Sequence, residues 1–176
     1  DAFTAAFALA IGTGSSPSVA VELARMAAAL TLRTTGKGVC SREDIISEAS
    51  GPLLDTNRLA SVVASHRRSG RRIVFTNGCF DVLHRGHVSC LREARAMGDV
   101  LIVALNSDDS VARLKGPDRP INSLQDRAAV LDALGCVDHL VSFDDDSPRS
   151  LIELVRPDIY AKGGDYSLEM IPEAGL

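Results

Sequence analysis

Four short apolar or β-branched runs, at 73–76, 100–105, 139–142 and 159–161, are separated by helical patterns of about ten residues. Few folds accept that alternation. Parallel strands need a long crossover, which a helix supplies, and strands covered on both faces read as near-continuous apolar runs. The expected architecture is an α/β parallel sheet with helices on both faces, those helices spanning 55–68, 87–97, 108–114, 123–134 and 148–155. Ligands in such sheets bind beyond the carboxyl ends of the strands. Each cluster of polar and glycine residues falls at such an end: Thr76 to His87, Asn106-Ser107-Asp108, Ser142 to Asp146, and Lys162-Gly163-Gly164-Asp165. One crevice is predicted to collect them.

The densest cluster is Thr76-Asn77-Gly78-Cys79-Phe80-Asp81-Val82-Leu83-His84-Arg85-Gly86-His87. A strand, a glycine turn and two histidines at a helix start present unpaired backbone N–H groups and the positive end of the helix dipole. A polyphosphate fits there. His84 and His87, three residues apart, can donate to phosphate oxygens as charge builds on them. A zinc site is the competing use of such a pair, but Cys40, Cys79, Cys90 and Cys136 have no Cys-x-x-Cys spacing and no carboxylate is in helical register with both histidines. Ordinary helix capping is the other reading. Asp81 either orients the loop or approaches a metal-nucleotide.

The chain changes character near residue 50. Before it, alanine-rich helical patterns run from Ala2 to Ile11 and from Pro17 to Arg33, the second with Ser16 as N-cap. Thr34 to Val39 reads as a turn, and Ser41-Arg42-Glu43-Asp44 opens a short helix. Ser50-Gly51-Pro52 is a breaker cluster, so residues 51–54 are expected to be a linker between a helical segment, 1–50, and the sheet domain, 55–176. A formal net charge of −4 argues against general nucleic-acid binding. Scattered cysteines and no secretory pattern suggest a cytoplasmic chain, and the apolar stretch 2–11 is too short to span a bilayer.

Gly78, Phe80, Asp81, His84, Gly86 and His87 fill every position of the G-x-F-D-x-x-H-x-G-H signature, so the segment resembles the cytidylyltransferase-like nucleotidyltransferases. A narrower resemblance joins Thr76 to Asp81 with Val103 to Asp108, Leu114-Lys115-Gly116 with Arg119-Pro120, Gln125-Asp126-Arg127, Val137-Asp138 and Lys162-Gly163-Gly164-Asp165-Tyr166. Together they are similar to the adenylyltransferase domain of bifunctional heptose 7-phosphate kinase/heptose 1-phosphate adenylyltransferases. The resemblance implies a Rossmann-like fold and transfer of AMP from ATP, with Mg²⁺, to D-glycero-β-D-manno-heptose 1-phosphate. Asp1-Ala2-Phe3-Thr4-Ala5-Ala6 resembles the end of the Gly-x-Gly-Asp-x-Phe motif of ribokinase-like sugar kinases. By it Asp1 stands where that kinase has its catalytic base, orphaned from its glycines, and the chain reads as an internal fragment of a longer polypeptide, ending before a Ser/Thr-rich motif.

The site residues that follow are His84, His87 and Lys115 for charge stabilisation at phosphorus. Thr76, Asn77, Gly78, Cys79, Phe80, Asp81, Asn106, Ser107, Asp108, Lys162, Gly163 and Asp165 are expected to line the nucleotide and sugar. Lys115 and Arg119 sit in a loop that can swing over a triphosphate. Arg127 either reaches phosphate or pairs with Asp126 or Asp132 at the surface. The expected partners are ATP and a sugar 1-phosphate, without nucleic acid or membrane, and a homo-oligomer is left open. A cytidylyltransferase for a polyol phosphate and a catalytically incomplete nucleotide-binding module are the alternatives.

Overall fold

The computed structural model describes residues 1–33, 40–49 and 51–163. The chain folds as two compact units, Asp1–Gly51 and Pro52–Leu176. The first holds helices α1 (Ala2–Gly12), α2 (Pro17–Arg33) and α3 (Arg42–Ala49). Small side chains set its packing: Ala10 of α1 and Ala20, Ala24 and Ala27 of α2 are buried. Ser41 and Asp44 cap α3 reciprocally, the Ser41 N–H donating to Asp44 Oδ2 at 2.8 Å and the Asp44 N–H to Ser41 Oγ at 3.1 Å. The expected turn at Thr34 to Val39 lies outside the described residues.

The second unit is a parallel α/β sheet. Its elements are β1 (Leu53–Leu54), α4 (Thr56–Arg68), β2 (Ile73–Gly78), α5 (Arg85–Ala96), β3 (Val100–Asn106), α6 (Asp108–Lys115), α7 (Leu124–Asp132), β4 (His139–Phe143), α8 (Arg149–Val155) and β5 (Ile159–Tyr160). Five strands lie in the order β1-β4-β3-β2-β5, and every pairing is parallel. Fold class and helix placement follow the sequence pattern. The linker expected at 51–54 does not: Leu53 pairs with Leu140 and Leu54 with Val141. Two apolar residues carry no periodicity of their own, so only the neighbouring strand gives them a partner.

Alternation along β3 shows how both faces are covered. Val100, Ile102 and Ala104 join Leu59 and Val63 of α4 and Leu151, Ile152 and Val155 of α8 in one core. Leu101, Val103 and Leu105 face the other way, against Leu91 and Ala94 of α5 and Ala128 and Leu131 of α7. All six of these β3 side chains are fully buried, and truncating one of the leucines to alanine costs about 2–5 kcal/mol.

The connections give the sheet its crevice. From β2 the chain steps to β3 and then β4 on one side, while β5 returns to the opposite side of β2. The strand order therefore reverses between β2 and β5, the position where doubly wound sheets take ligands.

Candidate functional site

Helix α5 starts on a histidine, where Ser, Thr, Asp or Asn caps better. His84 takes the N-cap position and its Nδ1 accepts the Gly86 N–H at 3.1 Å, while His87 Nδ1 accepts the His84 N–H at 3.4 Å. Each ring thus has its Nδ1 lone pair on a backbone donor. In the neutral imidazole the proton then resides on Nε2, leaving that nitrogen as a donor. The rings are 4.0 Å apart between centroids, and His87 also meets Phe80 at 5.4 Å. Burial, the adjacent His84 and then Lys115 hold the His87 pKa below the ordinary imidazole value. A Cβ at Gly86 would sit 2.9 Å from His84 Cε1, so only glycine leaves the imidazole in place.

The loop between β2 and α5 is held in an uncommon shape. Phe80 has φ +46°, a left-handed conformation that costs a bulky residue on the order of 1–3 kcal/mol. Its ring lies against Gly78, where a Cβ would approach Phe80 Cε2 to 3.0 Å. Asp81, 2% exposed, orients this loop: Oδ1 accepts the Ile121 N–H at 2.6 Å and Oδ2 pairs with Arg119 at 2.8 Å. Asn122 Nδ2 donates to the Asp81 carbonyl at 2.8 Å. Arg119, expected to swing over phosphates, is thereby latched onto Asp81, because a buried carboxylate needs a counter-charge.

Arg127 is also placed differently from the expectation. It is 1% exposed and lies beneath the loops, neither at the surface with Asp126 or Asp132 nor facing the crevice. Its guanidinium donates to the carbonyls of Cys79 (2.5 Å), Asn106 (2.8 Å) and Asn122 (3.2 Å) and to Asp108 Oδ1 (2.7 Å). Five donors in a fixed fork suit that task, whereas a helix-surface reading sees only the sequence neighbours. Asn106 is likewise turned inward, 4% exposed, with Nδ2 on Ser110 Oγ at 3.0 Å. Ser107 caps α6 by accepting the Ser110 N–H at 3.0 Å and donates to Asp144.

Cations stand on both sides of the crevice. Lys115, exposed at the end of α6, is close enough to weigh on both His87 and Cys79. Burial pushes the Cys79 thiol up, against the pull of Lys115 and Arg127. Beyond β5, Lys162 Nζ donates to Asn77 Oδ1 at 2.7 Å. Tyr160, which sequence reasoning passed over, donates through Oη to the same oxygen at 2.7 Å. Its only signal was an aromatic inside a short apolar run, which reads as core. Thr76 is buried within β2. Gly163 packs so closely on Cys90 that a Cβ would lie 3.0 Å from the sulfur. Asp165 lies outside the described residues.

Asp1 belongs to the first unit, where its carboxylate caps α1 by accepting from the Thr4 N–H at 2.9 Å and Oγ1 at 3.0 Å. Among the described residues no three His, Cys, Asp or Glu side chains converge, and Asp81 and Asp108 are each engaged by an arginine. The described residues therefore offer a divalent cation no cage of their own. No helix among them is long and apolar enough to cross a membrane, and all four cysteines are free.

Residues 75–174 match the family model described as cytidylyltransferase-like. A bifunctional protein HldE of Pseudomonas fluorescens (strain Pf-5) is 43% identical over 182 residues, covering 100% of this chain and 38% of that protein. Bifunctional proteins HldE of Sulfurimonas denitrificans and Mesorhizobium japonicum are each 42% identical, over 94% and 100% of this chain and 36% and 37% of theirs. The chain thus spans under two-fifths of the length of the curated relatives it matches. A crystal structure described as the lipopolysaccharide core biosynthesis protein from Thermoplasma volcanium is 33% identical, covering 52% of this chain and 73% of that one at a TM-score of 0.47.

Proposed function

The chain belongs to the cytidylyltransferase-like family, and from that premise we propose that it transfers AMP from ATP to D-glycero-β-D-manno-heptose 1-phosphate, giving ADP-heptose and pyrophosphate. The observation that carries this reading is the paired imidazoles at the start of α5, each with Nδ1 on a backbone N–H and Nε2 left to donate. The likeness to bifunctional HldE proteins along the whole chain supports heptose phosphate as acceptor and ATP as donor. It also supports reading residues 1–50 as the end of a ribokinase-like sugar kinase region, with Asp1 its orphaned base and the remainder as the nucleotidyltransferase domain. A cytoplasmic location fits the four free cysteines.

An oxygen of the sugar phosphate attacks the α-phosphorus of ATP in line, and the bond to the bridging oxygen of pyrophosphate breaks. No protein nucleophile takes part. The donor would be Mg·ATP, whose cation would supply charge neutralisation at the phosphates without a cage of described side chains. His84 and His87 donate from Nε2 to the phosphate oxygens on which charge grows, and Lys115 closes from the end of α6. Lys162 and Asn77 face the nucleotide from the β5 side, with Gly163 next in the chain. Asp81, Arg127 and Asn106 act one layer back, holding the loops that present these groups.

Pyrophosphate release from a panel of nucleoside triphosphates and sugar or polyol phosphates tests the proposal. ATP with heptose 1-phosphate is expected to be the fastest pair. Preference for CTP with glycerol phosphate would move the chain to polyol cytidylyl transfer, and nucleotide binding without pyrophosphate release from any pair would reduce it to a binding module.

A further inference from the structure

Two lysines flank the crevice, and the fold treats them differently. Lys115 is exposed at the end of α6, beside Gly116 at φ +104°, and makes no ion pair with a described residue. Lys162 is half-buried, with Nζ 2.7 Å from Asn77 Oδ1 and 5.2 Å from the centroid of the Tyr160 ring. The Tyr160 hydroxyl donates to that same Oδ1 at 2.7 Å, and its ring packs on buried Phe75 at 5.9 Å between centroids.

These contacts form a chain of constraint from the core to the crevice. An amide oxygen has two lone pairs, so Tyr160 and Lys162 together fill Asn77 Oδ1 and fix which way its amide points. With the oxygen thus occupied, the amide NH₂ is left as the donor side of Asn77, at the carboxyl end of β2. The Lys162 ammonium is meanwhile held between an oxygen and an aromatic face, a geometry that suits a cation.

We propose that Tyr160 is a positioning residue for nucleotide binding: through Asn77 and its own ring face it sets the Lys162 ammonium between the carboxyl ends of β2 and β5, ready for the phosphates of a nucleoside triphosphate. This rests on the reading of the crevice as a triphosphate site. A long, rotamer-rich side chain loses much freedom when it clamps a ligand, and holding it in advance removes that loss from binding. Lys162 therefore contributes to ground-state affinity, whereas exposed Lys115 contributes as charge develops. Tyr160 affects nucleotide affinity and leaves the chemical step alone.

The test is the Kd for Mg·ATP, titrated directly so that it does not depend on turnover, with thermal unfolding followed alongside. Tyr160→Phe keeps the ring and loses the hydroxyl, and is expected to weaken binding roughly 2–10-fold, the range of one hydrogen bond. Tyr160→Leu loses both contacts and is expected to weaken it about 10–50-fold. Lys162→Met is expected to weaken it at least as much as Tyr160→Leu, and the double variant Tyr160→Leu/Lys162→Met no further, since the tyrosine acts through the lysine. Wild-type affinity in both Tyr160 variants, or additive losses in the double variant, overturns the proposal. If wild type itself binds no ATP, both this inference and the triphosphate site fall. If ATP binds with the expected dependence but no acceptor releases pyrophosphate, only the proposed reaction falls.

Discussion

At the amino ends of the strands, Asp99, Asp138 and Asp158 accept the backbone N–H groups of Arg72 (2.8 Å), Leu101 (2.7 Å) and Ile73 (2.7 Å). Among the described residues only Asp138 of these also meets an arginine, Arg95 at 2.8 Å, whereas at the carboxyl ends both Asp81 and Asp108 are paired with arginines, Arg119 and Arg127. The first set closes the hydrogen-bond ladder locally, one strand start at a time, with carboxylates at the edge of the sheet. The second set is convergent, because Arg127 alone ties the ends of β2 and β3 to the loop before α7. One residue type therefore supplies local stability at one end of the sheet and loop geometry at the other. Damage at the amino end should lower stability without touching chemistry, and damage at the carboxyl end should do both.

The sharpest attempt to break that division is His87→Ala. It is expected to lower kcat for pyrophosphate release by roughly 10²–10⁴-fold with little change in Kd for ATP, as for a donor used mainly in the transition state. An unchanged kcat would remove His87 from the reacting group. Next is Arg127→Met, which leaves three carbonyls and Asp108 without their donor. Asp108 is half exposed and can be solvated, but each buried carbonyl left without its donor costs about 1–3 kcal/mol, and the loops at β2 and β3 should lose their register with it. Denaturant unfolding and pyrophosphate release should both fall; lost stability with full activity would show that the clamp does not position the site.

Asp158→Ala probes the opposite end. It removes one acceptor from the Ile73 N–H and should cost about 1–3 kcal/mol while kcat stays within twofold. A large fall in kcat would mean that the two ends are coupled. The smallest effect is in pH. His66 and His139 meet Nε2 to Nε2 at 2.9 Å, a contact that needs at least one ring neutral. Burial pushes both pKa values below the ordinary imidazole value; Arg71 adds to this at His66 and His66 adds to it at His139, while Asp138 opposes at both. The unfolded chain then takes up protons before the folded one. Stability is full above about pH 6.5 and declines as the pH falls below it. Tm measured against pH should drop less steeply in His139→Gln than in wild type, and equal slopes would show that the pair does not titrate.

The alternation of apolar runs and helices specified the sheet, because strands covered on both faces and their crossovers leave a strong one-dimensional pattern. The placement of His84, Gly86 and His87 at a helix start was legible for a similar reason, since a turn and a helix start occupy a few consecutive residues. Arg127 and Arg119 were not. Arg119 meets Asp81, and Arg127 meets all its partners but Asn122, from distant parts of the chain, 48 residues away for Cys79, and nothing in the local sequence distinguishes a buried arginine from a solvated one. Tyr160 was hidden by its aromatic character, and its hydroxyl contact with Asn77 spans 83 residues.

β1 has a consequence for how copies of this chain meet one another. An outer strand with free N–H and C=O groups can recruit a further strand from another molecule. Leu53–Leu54 leaves almost no room for this: Pro52 on one side has no N–H to give, and Asp55 on the other has turned out of the sheet to cap α4 by accepting the Arg58 N–H at 2.9 Å. This margin is thereby protected against edge-to-edge aggregation, and any ordered assembly built from it would have to use side chains instead of backbone pairing.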